Sequence, residues 1–183
     1  MPHCVNVANV IAENKHRYAR LFGAYNPVTG EGSPLPRKPF TYSSRGEAKT
    51  FLAPLPLLHN PLYSTISTLG SVEAMLQEMK QPVTTANIES IESQLLETRF
   101  DYDFEFWGFS NAKIQDKETK KPIPFKINFG QRKLLAELED MRTSGTPIRI
   151  VLLKARQWGG STLVQIYMAW IQIRLRTNWH PLS

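Results

Sequence analysis

Two adjacent glycines, Gly159 and Gly160, constrain this chain more than any other feature of its sequence. They follow residues 148–153, a short apolar run rich in β-branched side chains, which predicts a buried strand. They precede residues 161–176, whose apolar spacing predicts a helix. A strand, a glycine turn and a helix N-terminus in that order favour an anion-binding loop, because free backbone N–H groups and the helix dipole point at the same ligand.

The loop resembles a phosphate loop in composition but departs from the standard pattern G-x-x-x-x-G-K-[ST]. Gly159 occupies the position of the second glycine and Ser161 that of the hydroxyl residue. Lys154 stands where the first glycine is expected, and Gly160 stands where the lysine is expected. An ammonium at the start of the loop would still reach the β- and γ-phosphates. From this segment alone, an ordinary strand-turn-helix with a surface lysine stays open as the alternative.

Length and composition bound the class of protein. At 183 residues the chain fits one or two domains. A net charge of +6 and a pI near 9.5 permit contact with nucleic acid or nucleotide without requiring it. Cys4 is the only cysteine, which excludes an intramolecular disulfide. The N-terminus lacks an apolar leader, and residues 163–175 are too short and too polar to predict a membrane span.

The remaining segments predict a helical and irregular N-terminal region, residues 1–98, and a more regular region, residues 99–183. Apolar spacing and capping residues predict helices, whereas prolines and glycines predict loops. The predicted helices lie at 5–22, 71–80, 86–99 and 130–142, the loop at 23–44, an irregular or extended apolar strip at 54–61 and a hairpin at 113–127.

Acidic and aromatic residues alternate in the segment 101–107. A period of two favours a strand, but a helical turn that docks its aromatic rings is an equal alternative. Asp101, Asp103 and Glu105 have no histidine or cysteine close by in the sequence. We therefore expect a solvated acidic face here rather than a metal site.

Four motifs then carry a resemblance to a known family. They occur in a characteristic order and spacing between residue 100 and residue 183, and together they are similar to the N-terminal part of the large terminase subunit of tailed bacteriophages. The motifs are the acidic-aromatic segment 103–107, the charged hairpin, the segment 124–135 with Gln131 and Arg132, and the segment 153–162.

The resemblance implies an α/β fold, the start of a P-loop NTPase domain of the ASCE type, with ATP and Mg²⁺ as cofactors. In that family a glutamine before an Arg-x-Leu-Leu helix binds adenine, and Gln131 matches it; an amide both donates and accepts, as the adenine edge requires. Some members carry the lysine at the first position of the loop, as Lys154 does. The implied roles are catalysis and phosphate binding by Lys154, Mg²⁺ ligation by Ser161, a phosphate hydrogen bond from Thr162, and phosphate-loop positions for Arg156, Gln157, Gly159 and Gly160.

The family also implies partners and a location. It is a motor that translocates double-stranded DNA through a portal protein, works with a small terminase subunit, acts in the cytoplasm of the infected bacterial host, and in its full length is an ATPase and endonuclease. Homo-oligomerisation is compatible with this, and a membrane is not involved.

The sequence departs from the family after the phosphate loop. No apolar strand ending in Asp-Glu follows Thr162, so we expect a truncated fragment that does not hydrolyse ATP alone. The helix at 163–175 is apolar on nearly all sides, so we expect it to need burial all round and to promote association where exposed. A helicase-type ATPase fragment and a non-enzymatic basic scaffold or adaptor are the alternative functions.

Overall fold

The computed structural model describes residues 19–116, 118–152 and 158–175, together with Ala12 and Lys15. The chain is a mixed helix and sheet protein, as the sequence predicts at that coarse level. Most of the predicted helix at 5–22 lies outside the described residues; its end is a 3₁₀ turn at Ala19–Phe22. The elements that follow are β1 (Arg37–Ser44), β2 (Glu47–Pro54), α1 (Leu55–Leu58), α2 (Pro61–Leu69), α3 (Val72–Glu78), α4 (Thr85–Tyr102), α5 (Phe104–Asn111), β3 (Lys113–Gln115), β4 (Pro122–Pro124), α6 (Phe129–Thr143) and α7 (Gly160–Trp170), which continues as a π-helical turn, Ile171–Leu175.

The hairpin of β1 and β2 corrects the prediction of a loop at residues 37–44, whereas residues 23–36 are loop as predicted. The two strands pair antiparallel from Arg37 opposite Pro54 to Ser44 opposite Glu47. Arg45 and Gly46 make the two-residue turn with φ of 54° and 77°, the positive values that tight hairpin turns require. Both strands of a two-stranded sheet are edge strands, and an edge strand tolerates proline, as β1 does at Pro39.

The helices of the N-terminal region begin where capping residues predict. The Ser71 side chain accepts a hydrogen bond from the Ala74 backbone N–H at the start of α3, and Thr84 accepts from Asn87 at the start of α4. These caps confirm the two predicted helices. The prediction of an irregular or extended strip at 54–61 is wrong, because these residues form α1 and the start of α2. The prolines lie in the first turn of each helix, where the backbone N–H that proline lacks would have no partner within the helix.

The acidic-aromatic segment adopts the helical alternative. Helix α4 ends at Tyr102, and Asp103 caps α5 by accepting a hydrogen bond from the Phe106 backbone N–H. The expectation of a solvated face is wrong for two of its three acids, since Asp103 is 1% exposed and Glu105 is 3% exposed. Arg37, which is distant in sequence, and Arg99, four residues before Asp103, make that burial tolerable, as described below.

The buried apolar side chains form two clusters that meet along α4. The first takes residues from Phe40 to Leu95 and lies between the hairpin and α1–α4. The second takes residues from Phe100 to Trp170 and lies among α5, α6 and α7. Helix α4 runs without a break past Arg99, and the division into residues 1–98 and 99–183 stays a prediction.

The strand predicted at 148–153 is not formed over the described residues 148–152, which have no regular secondary structure. Val151 is 93% exposed and Ile148 is 44% exposed. A strand needs a neighbour to pair its backbone groups, and among the described strands β1 pairs only with β2 and β3 only with β4, both antiparallel. The β3–β4 pair confirms the predicted charged hairpin.

Helix α7 confirms the predicted helix after the glycines, and α6 confirms the one at 130–142. The apolar helix is not buried all round, and it keeps the exposed apolar surface that its composition predicts for this chain. One face, formed by Leu163, Tyr167 and Trp170, is buried, whereas Met168 is 51% exposed and Ile173 is 68% exposed. Spacings of three and four residues put the buried three on one stripe. No helix in the described part of the chain is long and apolar enough to span a bilayer.

Candidate functional site

The glycine turn, formed by Gly159 and Gly160, lies at the start of α7 and against the first turn of α6. Gly159 adopts φ of 79°, a left-handed conformation that glycine reaches without steric cost. Its carbonyl accepts a hydrogen bond from the Leu163 backbone N–H at 3.1 Å, which makes Gly159 the N-cap of α7. Because glycine has no side chain, no side-chain oxygen caps this helix end. The first backbone N–H groups of α7 are therefore not taken by a capping side chain.

Gln131 lies in contact with this turn. Its Nε2 donates to the Gly159 carbonyl oxygen at 2.8 Å, and its Oε1 accepts from the Asn128 backbone N–H at 2.9 Å. Asn128 completes a capping box because its side chain accepts from the Gln131 backbone N–H. The predicted proximity of Gln131 and the glycine turn is thus confirmed, while its role in adenine binding stays a prediction.

Trp158 fixes the same turn from the other side. Its carbonyl accepts a hydrogen bond from Asn128 Nδ2 at 3.3 Å. Its indole packs against two glycines: a Cβ atom on Gly130 would lie 2.0 Å from Trp158 Nε1, and one on Gly160 would lie 2.5 Å from Cζ3. Neither position admits a side chain without displacement of the tryptophan. Gly160 therefore serves packing, a role that its place in a phosphate loop does not suggest.

The predicted loop residues are only partly described. Ser161 is exposed and Thr162 is half-buried in the first turn of α7, where hydroxyls and free backbone N–H groups suit a phosphate oxygen. Lys154, Arg156 and Gln157 lie outside the described residues. The structure thus brings Gln131, Gly159, Gly160, Ser161 and Thr162 together and leaves the other three predicted loop positions as predictions.

The described residues fit a phosphate better than they fit a metal ion. The hydroxyl of Ser161 is the one predicted Mg²⁺ ligand, and Mg²⁺ sites normally include a carboxylate. The described part of the chain contains no group of three or more His, Cys, Asp and Glu side chains that suits a metal. We accordingly derive no metal-dependent step.

Adenine binding by Gln131 would require a change in the contacts that its side-chain amide makes in this structure. An amide has two N–H donors and two acceptor sites, and one of each is engaged with backbone in this structure. The side chain is 5% exposed. A base could reach its remaining donor and acceptor only by a shift of the Asn128 or Gly159 contact.

Arg132, the neighbour of Gln131 in the motif, ties α6 to the N-terminal region. Its Nη1 donates to the Gly32 carbonyl at 2.7 Å and its Nη2 to the Leu21 carbonyl at 3.0 Å. Its guanidinium also lies 4.7 Å from the ring centroid of Tyr25. The side chain therefore binds backbone rather than a ligand. Sequence reasoning missed this role because both acceptors lie about a hundred positions away.

A buried ionic network lies between the hairpin and the α4–α5 junction. Arg37 donates to both carboxylate oxygens of Asp103 at 2.9 and 2.7 Å and to Glu105 Oε2 at 2.7 Å. Glu105 also accepts from Ser33, and Arg99 Nε donates to Asp103 at 3.1 Å. Burial would raise the pKa of Asp103, but Arg37 and Arg99 outweigh it and hold the pKa below its ordinary value. Two arginines and two acids balance in charge.

A second buried contact supports α7. The Tyr167 hydroxyl donates to Glu139 Oε1, and Arg142 donates to both oxygens of the same carboxylate. Burial, followed by the charge of Glu139, raises the pKa of the Tyr167 phenol. The hydroxyl therefore stays protonated and acts as a donor, which fixes α7 on α6 behind the glycine turn.

Asn128 and Trp158 are the site residues that sequence reasoning missed. The signal for Asn128 was present, because Asn128 and Gln131 have the spacing of a capping box. Nothing local marks Trp158, whose position depends on glycines on two different helices.

No protein-family model matches the chain, and neither the curated proteins nor the solved structures contain a match to it.

Proposed function

We propose that this chain is the ATP-binding part of a viral DNA-packaging motor of the large terminase subunit type, with the glycine turn as its phosphate loop and Gln131 as its adenine residue. One observation supports the proposal: the hydrogen bond of 2.8 Å between Gln131 Nε2 and the Gly159 carbonyl. The sequence separates these residues by 28 positions, and the proposed function requires them within the length of one nucleotide.

In this proposal three kinds of group bind the phosphates of ATP. Lys154 supplies the ammonium for the β- and γ-phosphates, the α7 N-terminus supplies backbone N–H donors, and Ser161 and Thr162 supply hydroxyls. The P-loop NTPase fold, with a parallel sheet that contains residues 148–153, belongs to the proposal. Double-stranded DNA, a portal protein and a small terminase subunit are its proposed partners.

Equilibrium binding tests the proposal. The 183-residue chain is titrated with Mg²⁺–ATP in a calorimeter, alongside Lys154→Ala and the control Lys38→Ala, whose exposed lysine lies on β1. We expect saturable binding that Lys154→Ala weakens by at least about tenfold, since a phosphate contact of this kind contributes several kcal/mol. Lys38→Ala should bind like the parent chain. No saturable binding, or equal weakening by both variants, contradicts the proposal.

A non-enzymatic basic scaffold is favoured by a second contact of the same side chain, the hydrogen bond from the Asn128 backbone N–H to Gln131 Oε1. The Gln131 amide contacts backbone on both its oxygen and its nitrogen, which is a sufficient structural reason for a glutamine at this position. A scaffold of this kind would bind double-stranded DNA through its net charge of +6 and would not bind ATP. Salt-dependent DNA binding without ATP binding in the same titrations would select it.

A further inference from the structure

A cavity of about 490 Å³ lies between the open end of the β1–β2 hairpin and the C-terminal half of α6. Its volume falls in the range of small-molecule sites, roughly 300–1,000 Å³. No described residue of the glycine turn lines it, so it is separate from the site described above. One side of the lining consists of prolines and leucines: Pro34, Leu35, Pro36, Pro54, Leu55 and Pro56.

The hairpin brings the four prolines together. Pro36 directly precedes β1 and Pro54 ends β2, and Arg37, the first residue of β1, lies opposite Pro54 in the strand register. Pro56 follows in the first turn of α1. The pyrrolidine ring fixes φ at each of these positions. This wall, called the proline wall below, is therefore rigid before a ligand arrives, and binding has little of it left to order.

Helix α6 forms the opposite side of the cavity. Four of the residues that it contributes recur at spacings of three and four, which places them on one stripe of the helix: Ala136, Glu139, Asp140 and Thr143. Ala136 is half-buried and presents only a methyl group. Tyr102 and Leu175, which are 39% and 38% exposed, complete the lining. A flat ligand would thus lie between the proline wall and the α6 stripe.

The polar side chains of the lining already have partners. Arg142 donates to both carboxylate oxygens of Glu139, and the Thr143 hydroxyl donates to the Glu139 backbone carbonyl at 2.6 Å. Asp101 accepts a hydrogen bond from Arg174 Nε at 2.7 Å. Among the described residues, no buried side-chain polar atom of this lining lacks a hydrogen bond. A ligand is therefore not required to supply a charge or a particular donor.

The balance of charge around the cavity disfavours an anion. The lining contains the carboxylates of Asp101, Glu139 and Asp140, against the guanidinium of Arg142 and that of the neighbouring Arg174. Three acids and two bases leave an excess of one negative charge. At the distances within such a cavity, that excess repels a bound carboxylate.

The proline wall favours an aromatic ring over a saturated one. The face of an aromatic ring carries negative partial charge, and the C–H groups next to the proline nitrogen present positive partial charge to it. Proline-recognition domains use the same pairing with the roles exchanged, because they bind prolines in grooves lined by aromatic side chains. Proline also lacks a backbone N–H, so the wall is a poor source of hydrogen-bond donors.

We propose that this cavity binds a small, uncharged, polycyclic aromatic molecule, which packs between Pro36 and Pro56 on one side and Ala136 on the other. The proposal is independent of the nucleotide site, because it uses none of the residues around the glycine turn. It gives a binding role to the junction of the hairpin and α6.

2-Naphthol is a suitable probe, because it is uncharged at neutral pH. Its anionic counterpart is 2-naphthoate, and its saturated counterpart is decahydro-2-naphthol. Amide chemical shifts of the ¹⁵N-labelled chain are followed to about 2 mM of each compound. We expect saturable shifts at Leu55, Tyr102 and Ala136 with 2-naphthol, binding about tenfold weaker with 2-naphthoate, and binding about fivefold weaker with decahydro-2-naphthol.

Two variants and a matched control locate the binding. Pro56→Ala removes one ring of the proline wall and leaves a good helix former in the first turn of α1. The control Pro61→Ala makes the same change in the first turn of α2, at an exposed proline outside the lining. Ala136→Phe fills the cavity from α6. We expect Pro56→Ala to weaken 2-naphthol binding about fivefold, Ala136→Phe to abolish it, and Pro61→Ala to leave it unchanged.

Each other outcome overturns the proposal. Absence of a saturable shift with 2-naphthol would mean that the cavity is not a binding site. Shifts confined to other residues, or full affinity in Ala136→Phe, would place the ligand elsewhere on the chain. Equal affinity for the three compounds, or equal weakening by Pro56→Ala and Pro61→Ala, would mean that neither the charge nor the proline wall selects the ligand.

Discussion

Arg37→Met should destabilise the fold far more than the loss of a surface charge does. In the structure Arg37 is the sole described link between the hairpin and both acids of the α4–α5 junction, through Asp103 and Glu105. Its side chain is 3% exposed, against 0% for Asp103 and 1% for Glu105. Methionine keeps most of the side-chain length and removes the charge, together with the hydrogen bond of 3.0 Å from Arg37 Nη1 to the Leu52 carbonyl.

The magnitude follows from what the substitution leaves behind. Asp103 retains Arg99 and the Phe106 backbone N–H, whereas Glu105 retains the Ser33 hydroxyl and no arginine among the described residues. Removal of one partner from a buried ion pair costs about 3–5 kcal/mol, because an uncompensated charge stays in a medium of low polarity. A domain has roughly 5–15 kcal/mol of stability in total, so the loss is a large fraction of it.

Urea unfolding followed by tryptophan fluorescence measures this loss. The matched control is Arg45→Met, in the turn of the same hairpin, whose arginine is 46% exposed and pairs with Glu89, which is 62% exposed. We expect the control to lose about 0–1 kcal/mol. A second substitution, Glu105→Gln in the Arg37→Met background, should recover about 1–2 kcal/mol because it removes the unpaired charge.

Two results would refute this reasoning. If Arg37→Met costs no more than Arg45→Met, the network does not contribute what its burial implies. If Glu105→Gln lowers the stability of the Arg37→Met variant further, then the cost does not arise from an unpaired carboxylate. An unchanged denaturant slope across the series is the condition for comparing the variants.

Three further predictions test other parts of the structure. The depressed pKa of Asp103 contributes stability that is present above the unfolded pKa of about 3.9 and is lost as pH falls toward the folded value; urea midpoints below about pH 4 should fall in the parent chain and fall less in Asp103→Asn. Gly160→Ala should displace the Trp158 indole, whose Cζ3 would lie 2.5 Å from the new Cβ, and shift the tryptophan emission. Gly145→Ala costs stability because its φ is 70°, but its Cβ would meet no atom within 4 Å, so the emission of the folded chain should not shift. Self-association measured by analytical ultracentrifugation should decrease in Ile173→Glu, because the isoleucine side chain is 68% exposed on an apolar helix. A parent chain that sediments as a monomer would contradict this prediction.

The sequence predicts those elements whose signals are local. Ser71 and Thr84 mark helix starts correctly because a cap acts on the next three residues. The charged hairpin and α6 follow in the same way from turn residues and from apolar spacing. The β1–β2 hairpin was missed because the prolines and glycines of residues 23–44 predicted a loop, although an edge strand accepts a proline such as Pro39.

The candidate site was predictable only as far as the family resemblance links its two motifs, the segment 124–135 and the segment 153–162. The pairing of Gln131 with the glycine turn came from the family resemblance and not from any periodicity in the sequence. The burial of Asp103 and Glu105 depends on Arg37, which lies 66 positions before Asp103. The predicted strand at 148–153 failed over 148–152 for a comparable reason, because pairing partners decide whether an apolar run becomes a strand.

The proposed adenine role of Gln131 predicts a change in hydrogen exchange at the Asn128 backbone N–H when ATP binds. A base that takes up both the oxygen and the nitrogen of the Gln131 amide competes with the Asn128 backbone N–H and with the Gly159 carbonyl, which hold that amide at 2.9 and 2.8 Å. If adenine displaces the Asn128 contact, that backbone N–H loses its acceptor, and its hydrogen exchange should accelerate when ATP binds. The internal control is the Asn87 backbone N–H, which donates a hydrogen bond to the Thr84 hydroxyl oxygen at the start of α4. It should exchange at the same rate with and without ATP. Saturable ATP binding with no change at Asn128 would mean that Gln131 caps α6 and braces the glycine turn while the base is bound elsewhere.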